Sequence, residues 1–293
     1  MLYYLYNSDR MKIKMRRNIF DLMNDKEIDV EREFIRIRKL FEEDKFYGTY
    51  GALSICEYID KYFFGNWEKR GRAISINDMF TSLNIRDRKG LRENTIENLL
   101  LYIEVIINLI SISDIESITD KDDDYKEYKW HIYALLYENI EGLLEDLNYE
   151  IRELSDEELV IVEKDRVLSA VAETNKNVAD KVIEYRRFIL KGKLKGKREI
   201  LNLLANEIEG MRPSFKGTTY AALMDDVQFM LNNLNIRHNN LSGKNRKQYV
   251  VDLSRSKLER LYDQTFDMIL GLFIIDKYIK NKNEIDELKK NIK

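Results

Sequence analysis

Pro213 is the one proline in 293 residues, and only twelve glycines accompany it. Sheets and hairpins are punctuated by these two residue types, so their scarcity leaves long helices joined by short polar connections as the natural solution. The expected fold class is all-α, arranged as two helical subdomains. Hydrophobic residues make up 44% of the chain and aromatics 11%, enough to bury one large core or two ordinary ones.

Charge divides the chain. Residues 1–164 carry 24 Lys and Arg against 35 Asp and Glu, whereas residues 165–293 carry 25 against 17. An acidic half is thus followed by a basic half able to approach a phosphate backbone, unless the two halves spend their charge on each other. The expected organisation is an acidic helical domain over 1–118, an acidic linker and connecting helix over 119–164, and a basic helical bundle over 165–293. Cys56 is the only cysteine and the chain opens without a basic-then-apolar leader, so a cytoplasmic location is expected. The most apolar run, 99–112, contains Glu104 and Asn108 and is too short and too polar to span a bilayer. No membrane partner is expected.

In the acidic half, Ile13, Phe20, Met23, Phe34, Ile37, Leu40 and Phe41 have loose helical spacing. A break at 47–51 precedes a stripe through Leu53, Ile55, Cys56, Ile59, Tyr62 and Phe63, which makes Cys56 a buried hydrophobe rather than a nucleophile. Ser75 and Asp78 mark a helix start, and Asn94 with Glu97 caps a central helix beginning at Thr95. Between them, Arg86, Arg88, Lys89 and Arg92 could touch DNA phosphates from a helix-turn-helix. Residues 119–127 read as an exposed acidic linker. His131 lies in the following helix with no second metal ligand at one-turn spacing. Ser155 and Glu158 form a capping box that leads into a helical stretch towards Val160 and Val162.

The basic half begins with a helix over 167–190. The run Lys-Gly-Lys-Leu-Lys-Gly-Lys-Arg at 191–198 is the densest cationic patch, with Gly192 and Gly196 loosening the backbone. A helix follows until Gly210 and Pro213 end it. Another, carrying Leu223, Val227, Met230, Leu231 and Leu234, leads to Arg237-His-Asn-Asn240. Lys244, Arg246 and Lys247 occupy the next loop. Ser256 and Glu259 start a long last helix whose polar tail is expected to fray.

The order helix, basic loop, helix, Arg-His-Asn-Asn at a helix-to-loop junction, helix resembles the HEPN superfamily over roughly residues 165–285. That resemblance implies a four- or five-helix bundle, often dimeric, and RNA binding or metal-independent endoribonuclease activity in prokaryotic antiphage defence or toxin systems. Arg237 and His238 match the first two positions of the family motif. Its second histidine has no counterpart, since positions 241–243 are Leu, Ser and Gly and Lys244 follows.

Cleaving RNA without a metal needs a group of near-neutral pKa to take the 2′-OH proton and a fixed cation to stabilise the phosphate. His238 and Arg237 are candidates for these roles. Asn239 and Asn240 could orient them, and Lys191, Lys193, Lys195, Lys197, Arg198, Lys244, Arg246 and Lys247 could bind the backbone. In a homodimer two Arg-His pairs could share one cleft. No cofactor or metal motif is present. Competing readings are a helix C-terminus capped by the same residues, with Asn239 or Asn240 left-handed, a non-catalytic helical interaction protein whose acidic and basic halves dock on each other, and a DNA-binding regulator using residues 86–98; a partner protein could engage the acidic half.

Overall fold

The computed structural model describes residues 28–48, 51–87, 90–113 and 125–292. The expected positions Ile13, Phe20, Met23, Arg88 and Lys89, the 119–124 part of the acidic linker and the His131 side chain lie outside the described residues. The protein is mostly helical, with eleven α-helices and two antiparallel hairpins among the described residues. No helix among these residues is long and apolar enough to cross a membrane.

The first helix, α1 (Val30–Arg38), starts at Asp29, whose side chain accepts the Arg32 N–H, and buries Phe34 and Ile37. The glycines of the break at 47–51 face each other across an antiparallel pair, β1 (Lys45–Gly48) with β2 (Gly51–Ser54), in which Gly48 pairs with Gly51. Ser54 and Glu57 then form a reciprocal capping box for α2 (Ile55–Tyr62). After α3 (Ile76–Ser82) comes α4 (Ile96–Ser111), capped by Thr95 and buried on nearly every side from Leu99 to Ile110. It is the axis of the N-terminal core, onto which α5 (Tyr125–Asp146) packs Ile132, Leu136, Ile140 and Leu144.

The expected helix after Ser155 is instead a second hairpin, β3 (Tyr149–Glu153) with β4 (Leu159–Glu163). Val160, Ile161 and Val162 are β-branched and alternate in facing, which suits a strand better than a helix. Here the alternation separates two cores. Val160 and Val162 enter the C-terminal core, while Ile161 enters the N-terminal one.

The edge of β4 away from β3 is satisfied one residue at a time. The Leu159 N–H donates to Asn108 Oδ1 at 3.0 Å, the Ile161 N–H to Glu104 Oε2 at 2.8 Å, and the Glu163 N–H to the Arg186 carbonyl at 3.2 Å. Asn108 Nδ2 also donates to the Leu159 carbonyl at 2.6 Å. Two polar residues one turn apart in an apolar helix are therefore backbone partners for a strand. Burial raises the Glu104 carboxyl above the ordinary glutamate value, and Arg187, at 2.6 Å, draws it back.

The C-terminal core is assembled from α6 (Arg166–Thr174), α7 (Ala179–Tyr185), α8 (Leu194–Phe215), α9 (Ala221–Asn233), the short α10 (Gln248–Val251) and α11 (Arg255–Asn291). The single helix expected over 167–190 is broken between α6 and α7, and the chain turns again at Arg186–Arg187 to meet β4. Helix α8 runs through Pro213 to Phe215. The proline removes one backbone donor in the last turn, and burial of Phe215 compensates. Helices α8 and α11 are parallel, linked by Lys197–Asp263 near their starts and Ser214–Asp276 further on. The tail of α11 is helical to Asn291 rather than frayed.

Replacing Arg187 with Met leaves the Glu104 carboxylate buried without its main cation. It should lower the unfolding free energy in a urea titration by about 3–5 kcal/mol. Adding Glu104→Gln to that variant should recover part of the loss, because no uncompensated charge remains. Additive destabilisation by the two changes would contradict this pairing.

Candidate nucleic-acid interface

The residues expected to form a catalytic group lie in the loop that leaves α9. The helix ends at Asn233, and Asn235, not Asn239 or Asn240, takes the left-handed conformation with φ +60°. Asparagine tolerates that region because its short amide can bond locally. The Asn235 N–H donates to Asn240 Oδ1 at 2.7 Å, and the Asn240 N–H returns to Asn235 Oδ1 at 3.1 Å. Asn240 Nδ2 donates to the Asn245 carbonyl at 3.1 Å, and the Asn240 carbonyl accepts the Lys247 N–H at 2.8 Å. With 1% of its surface exposed, Asn240 is a staple of the loop and is reassigned from the catalytic group to that structural role.

Asn239 is also locally engaged. Its Oδ1 accepts the N–H groups of Leu241 and Ser242, and its Nδ2 donates to Ser242 Oγ. Arg237 is half-buried, with its guanidinium 2.5 Å from Glu209 and its N–H bonded to the Leu231 carbonyl. His238 is exposed and has no side-chain partner among the described residues. Of the four, only the imidazole is free to meet a ligand without breaking a contact.

The expected phosphate ligands divide in the same way. Lys191, Lys193 and Lys195 are exposed at the start of α8. Lys197 points inward, 2.9 Å from Glu259 and 2.7 Å from Asp263, with its ammonium 5.6 Å from the Tyr185 ring centre. A cation so neutralised is a structural post, and Lys197 leaves the set of phosphate ligands. Burial raises the Glu259 carboxyl, but Lys197 and the Gly192 N–H outweigh it and hold the group below its ordinary range. Burial, followed by Asp263, raises the Tyr185 hydroxyl above the ordinary tyrosine range.

Gly192 and Gly196 have definite tasks. Gly192 adopts φ +73° and donates its N–H to Glu259, while a Cβ at Gly196 would come within 2.7 Å of Leu190. Arg198 is half-buried, its Nε 3.5 Å from the Ile236 carbonyl, so it ties the start of α8 to the loop after α9. Lys244, Arg246 and Lys247 are exposed on that loop.

A third segment joins them. Arg255 donates to the Gly192 carbonyl at 2.9 Å, and Arg255, Lys257 and Arg260 are all exposed on the first turns of α11. Three cations within six residues, Arg255, Lys257 and Arg260, were a visible signal. Reading Ser256 and Glu259 as a capping box hid it, for the N-cap is Ser254 and Glu259 is used by Gly192 and Lys197. The starts of α8 and α11 and the loop after α9 thus meet at one end of the bundle. The positive ends of two helix dipoles lie there as well. Beside them lies a cleft of about 320 Å³ lined in part by Lys191, Lys197, Ser256 and Arg260.

The alternative DNA-contacting turn is built differently. Arg86 is buried, 2.9 Å from Glu42, with its guanidinium over the Phe80 ring, and Glu42 also accepts the Tyr102 hydroxyl at 2.7 Å. Arg92 remains exposed. Arg86 is a core ion pair and is unavailable to a phosphate. Burial, then Glu42 and Asp60, pushes the Cys56 thiol far above its ordinary value, which opposes thiolate chemistry. Comparison with protein families, curated proteins and solved structures gives no match to this chain.

If Asn240 is a staple, Asn240→Ala should destabilise the protein by about 1–3 kcal/mol, the penalty for orphaning buried backbone groups. Amide exchange at Asn235 and Lys247 should accelerate together. A variant with unchanged stability and exchange would contradict the assignment.

Proposed function

We propose that this is a HEPN-like RNA-binding protein whose C-terminal bundle holds the phosphate backbone on its basic end. The observation that carries the reading is the convergence of exposed cations from three separated segments: Lys191, Lys193 and Lys195; Lys244, Arg246 and Lys247; and Arg255, Lys257 and Arg260. Single-stranded RNA binding draws on such grouped charge through counterion release. Among the described residues the acidic half does not consume this charge. Among the described residues the ion pairs that span residue 165 in sequence and reach the acidic half are those of Arg187 with Glu104 and Glu158.

Binding is favoured over cleavage. Metal-independent endoribonuclease chemistry, which the family resemblance implies, would require His238 to move the 2′-OH proton and Arg237 to exchange Glu209 for phosphate. Asn239 and Asn240 are committed to the loop. From the same resemblance we take a role in a prokaryotic antiphage defence or toxin system, working as a homodimer, and from the single cysteine, Cys56, a cytoplasmic location.

A partner protein on the acidic half is a second reading, supported by a cleft of about 670 Å³ lined in part by Trp67, Glu68, Lys69, Glu153, Asp156 and Glu157, in which Lys69 already pairs with Asp156 at 3.1 Å. Such a lining suits a basic segment.

Fluorescence anisotropy with a single-stranded RNA in EDTA tests the reading. Binding should weaken steeply with salt. Replacing Lys191, Lys193 and Lys195 with Ala should reduce affinity about tenfold or more. It should also lower the logarithmic salt slope by about 2, since each phosphate that a lysine neutralises on a single strand adds about 0.7 to that slope. The triple change Arg255→Ala, Lys257→Ala, Arg260→Ala should do the same despite its distance in sequence. No binding at about 50 mM salt, or binding by both variants equal to that of the unaltered protein, would refute the proposal. Cleavage that is lost in His238→Ala would extend it to catalysis.

A further inference from the structure

Aromatic rings left in water set the end of α9 apart from the rest of the surface. Tyr62, Tyr137, Phe229, Tyr249 and Tyr278 are the exposed aromatics among the described residues. Three of them pack on another ring: Tyr62 lies 5.2 Å from Tyr58, Tyr137 6.3 Å from Tyr133 and Tyr278 6.4 Å from Tyr220. Phe229 and Tyr249 have no ring or cation over them among the described residues, although 59% and 49% of their surfaces are open to solvent. Single apolar residues scattered over a surface need no explanation, but these two are tied to one residue. Asn233, the last of α9, donates its Nδ2 to the Phe229 carbonyl at 2.8 Å, and its own carbonyl accepts the Tyr249 hydroxyl at 3.2 Å.

The hydroxyl tether holds the far end of the Tyr249 ring and leaves the ring uncovered. Tyr249 belongs to α10, which directly follows the exposed Lys244, Arg246 and Lys247. The Lys247 N–H donates to the Asn240 carbonyl at 2.8 Å, so the cations and the ring share the frame set by the Asn235–Asn240 staple. Phe229 stands one turn before Asn233 on the same face of α9. Beyond it Asp225 and Asp226 are exposed, the former 3.7 Å from Arg212. Their carboxylates repel a phosphate and keep a polyanion's backbone on the loop side. What can reach the rings from such a backbone is a flat, uncharged group.

We propose that Phe229 and Tyr249 are stacking platforms for unpaired RNA bases. The proposal rests on the RNA-binding reading and adds base contacts to one built on phosphate contacts alone. Every base has a π-face, and a strand whose phosphates lie on Lys244, Arg246 and Lys247 carries its bases beside them. Only a single strand can splay those bases onto a protein ring.

Anisotropy with a single-stranded RNA and with an abasic sugar-phosphate chain of equal length tests this. The unaltered protein should bind the RNA about fivefold or more tighter than the abasic chain, fivefold being the low end of what one stacked base contributes. Tyr249→Ala and Phe229→Ala should each weaken RNA binding by about fivefold or more and leave the abasic chain's affinity unchanged. Neither should move the logarithmic salt slope, because no phosphate contact is lost, whereas removal of Lys191, Lys193 and Lys195 lowers it. Tyr249→Phe should stay within about twofold of the unaltered protein, since the ring still stacks without its hydroxyl. In Tyr249→Trp the new emission, read above that of Trp67 and Trp130, should be quenched by RNA and not by the abasic chain.

Equal affinity of the unaltered protein for RNA and the abasic chain overturns the proposal and leaves phosphate binding standing. So does RNA binding that is indifferent to both alanine changes, which would assign the rings to a protein partner, and so does an unquenched Tyr249→Trp. A Tyr249→Phe variant as weak as Tyr249→Ala makes the tether the cause and removes Tyr249 from the platform. Binding of neither chain refutes the RNA reading itself and this proposal with it.

Discussion

The outer edge of β4 is the constraint from which the architecture follows. A strand between two hydrophobic cores must give one face to each, and its backbone must still find partners where water is excluded. Asn108 and Glu104 provide them from α4, and the chain at Arg186 provides the third. Arg187 then offsets the charge that Glu104 brings inside. These contacts fix the C-terminal bundle to the N-terminal core and set the direction in which the chain leaves α7 for the cationic turn.

Below that turn, burial of one lysine organises the exposure of the others. Lys197 between Glu259 and Asp263 clamps the start of α8 to the start of α11, and Gly192 closes the clamp through its N–H. Replacing a network of this kind with apolar groups can be neutral for stability, so its value lies in where it puts its neighbours. It holds Lys191, Lys193 and Lys195 on one side and Arg255, Lys257 and Arg260 on the other. Arg198 and the Asn235–Asn240 staple bring the third cationic segment to the same end.

Much of the helical framework was legible in the sequence because helices declare themselves locally. The stripe through α4, the cap at Thr95 and the approach to Asn233 all follow from spacing and capping chemistry. The β3–β4 hairpin was not legible in this way. Ser-Asp-Glu-Glu imitates a capping box and outweighed the β-branched Val160-Ile161-Val162 that follows, whose outer edge is completed only by the partner groups on α4. Glu104 and Asn108 read as interruptions of an apolar run because their ligands are 51 or more residues away in sequence.

The candidate interface was partly legible for the same reason. The cationic run at 191–198 is visible as composition, but Lys197 cannot be distinguished from Lys195 until α11 is in place. Asn240 looked like a catalytic neighbour of His238 because polarity alone does not reveal whether an amide faces solvent or backbone. Arg255, Lys257 and Arg260 join the site through the parallel packing of α8 and α11, which no local pattern reports. The most direct test of the account is ultraviolet crosslinking of the protein to a short single-stranded RNA, with the attached peptides mapped by mass spectrometry. The account predicts adducts in all three segments, 191–198, 237–247 and 255–260, within one complex, whereas adducts confined to one segment or to the acidic half would contradict it.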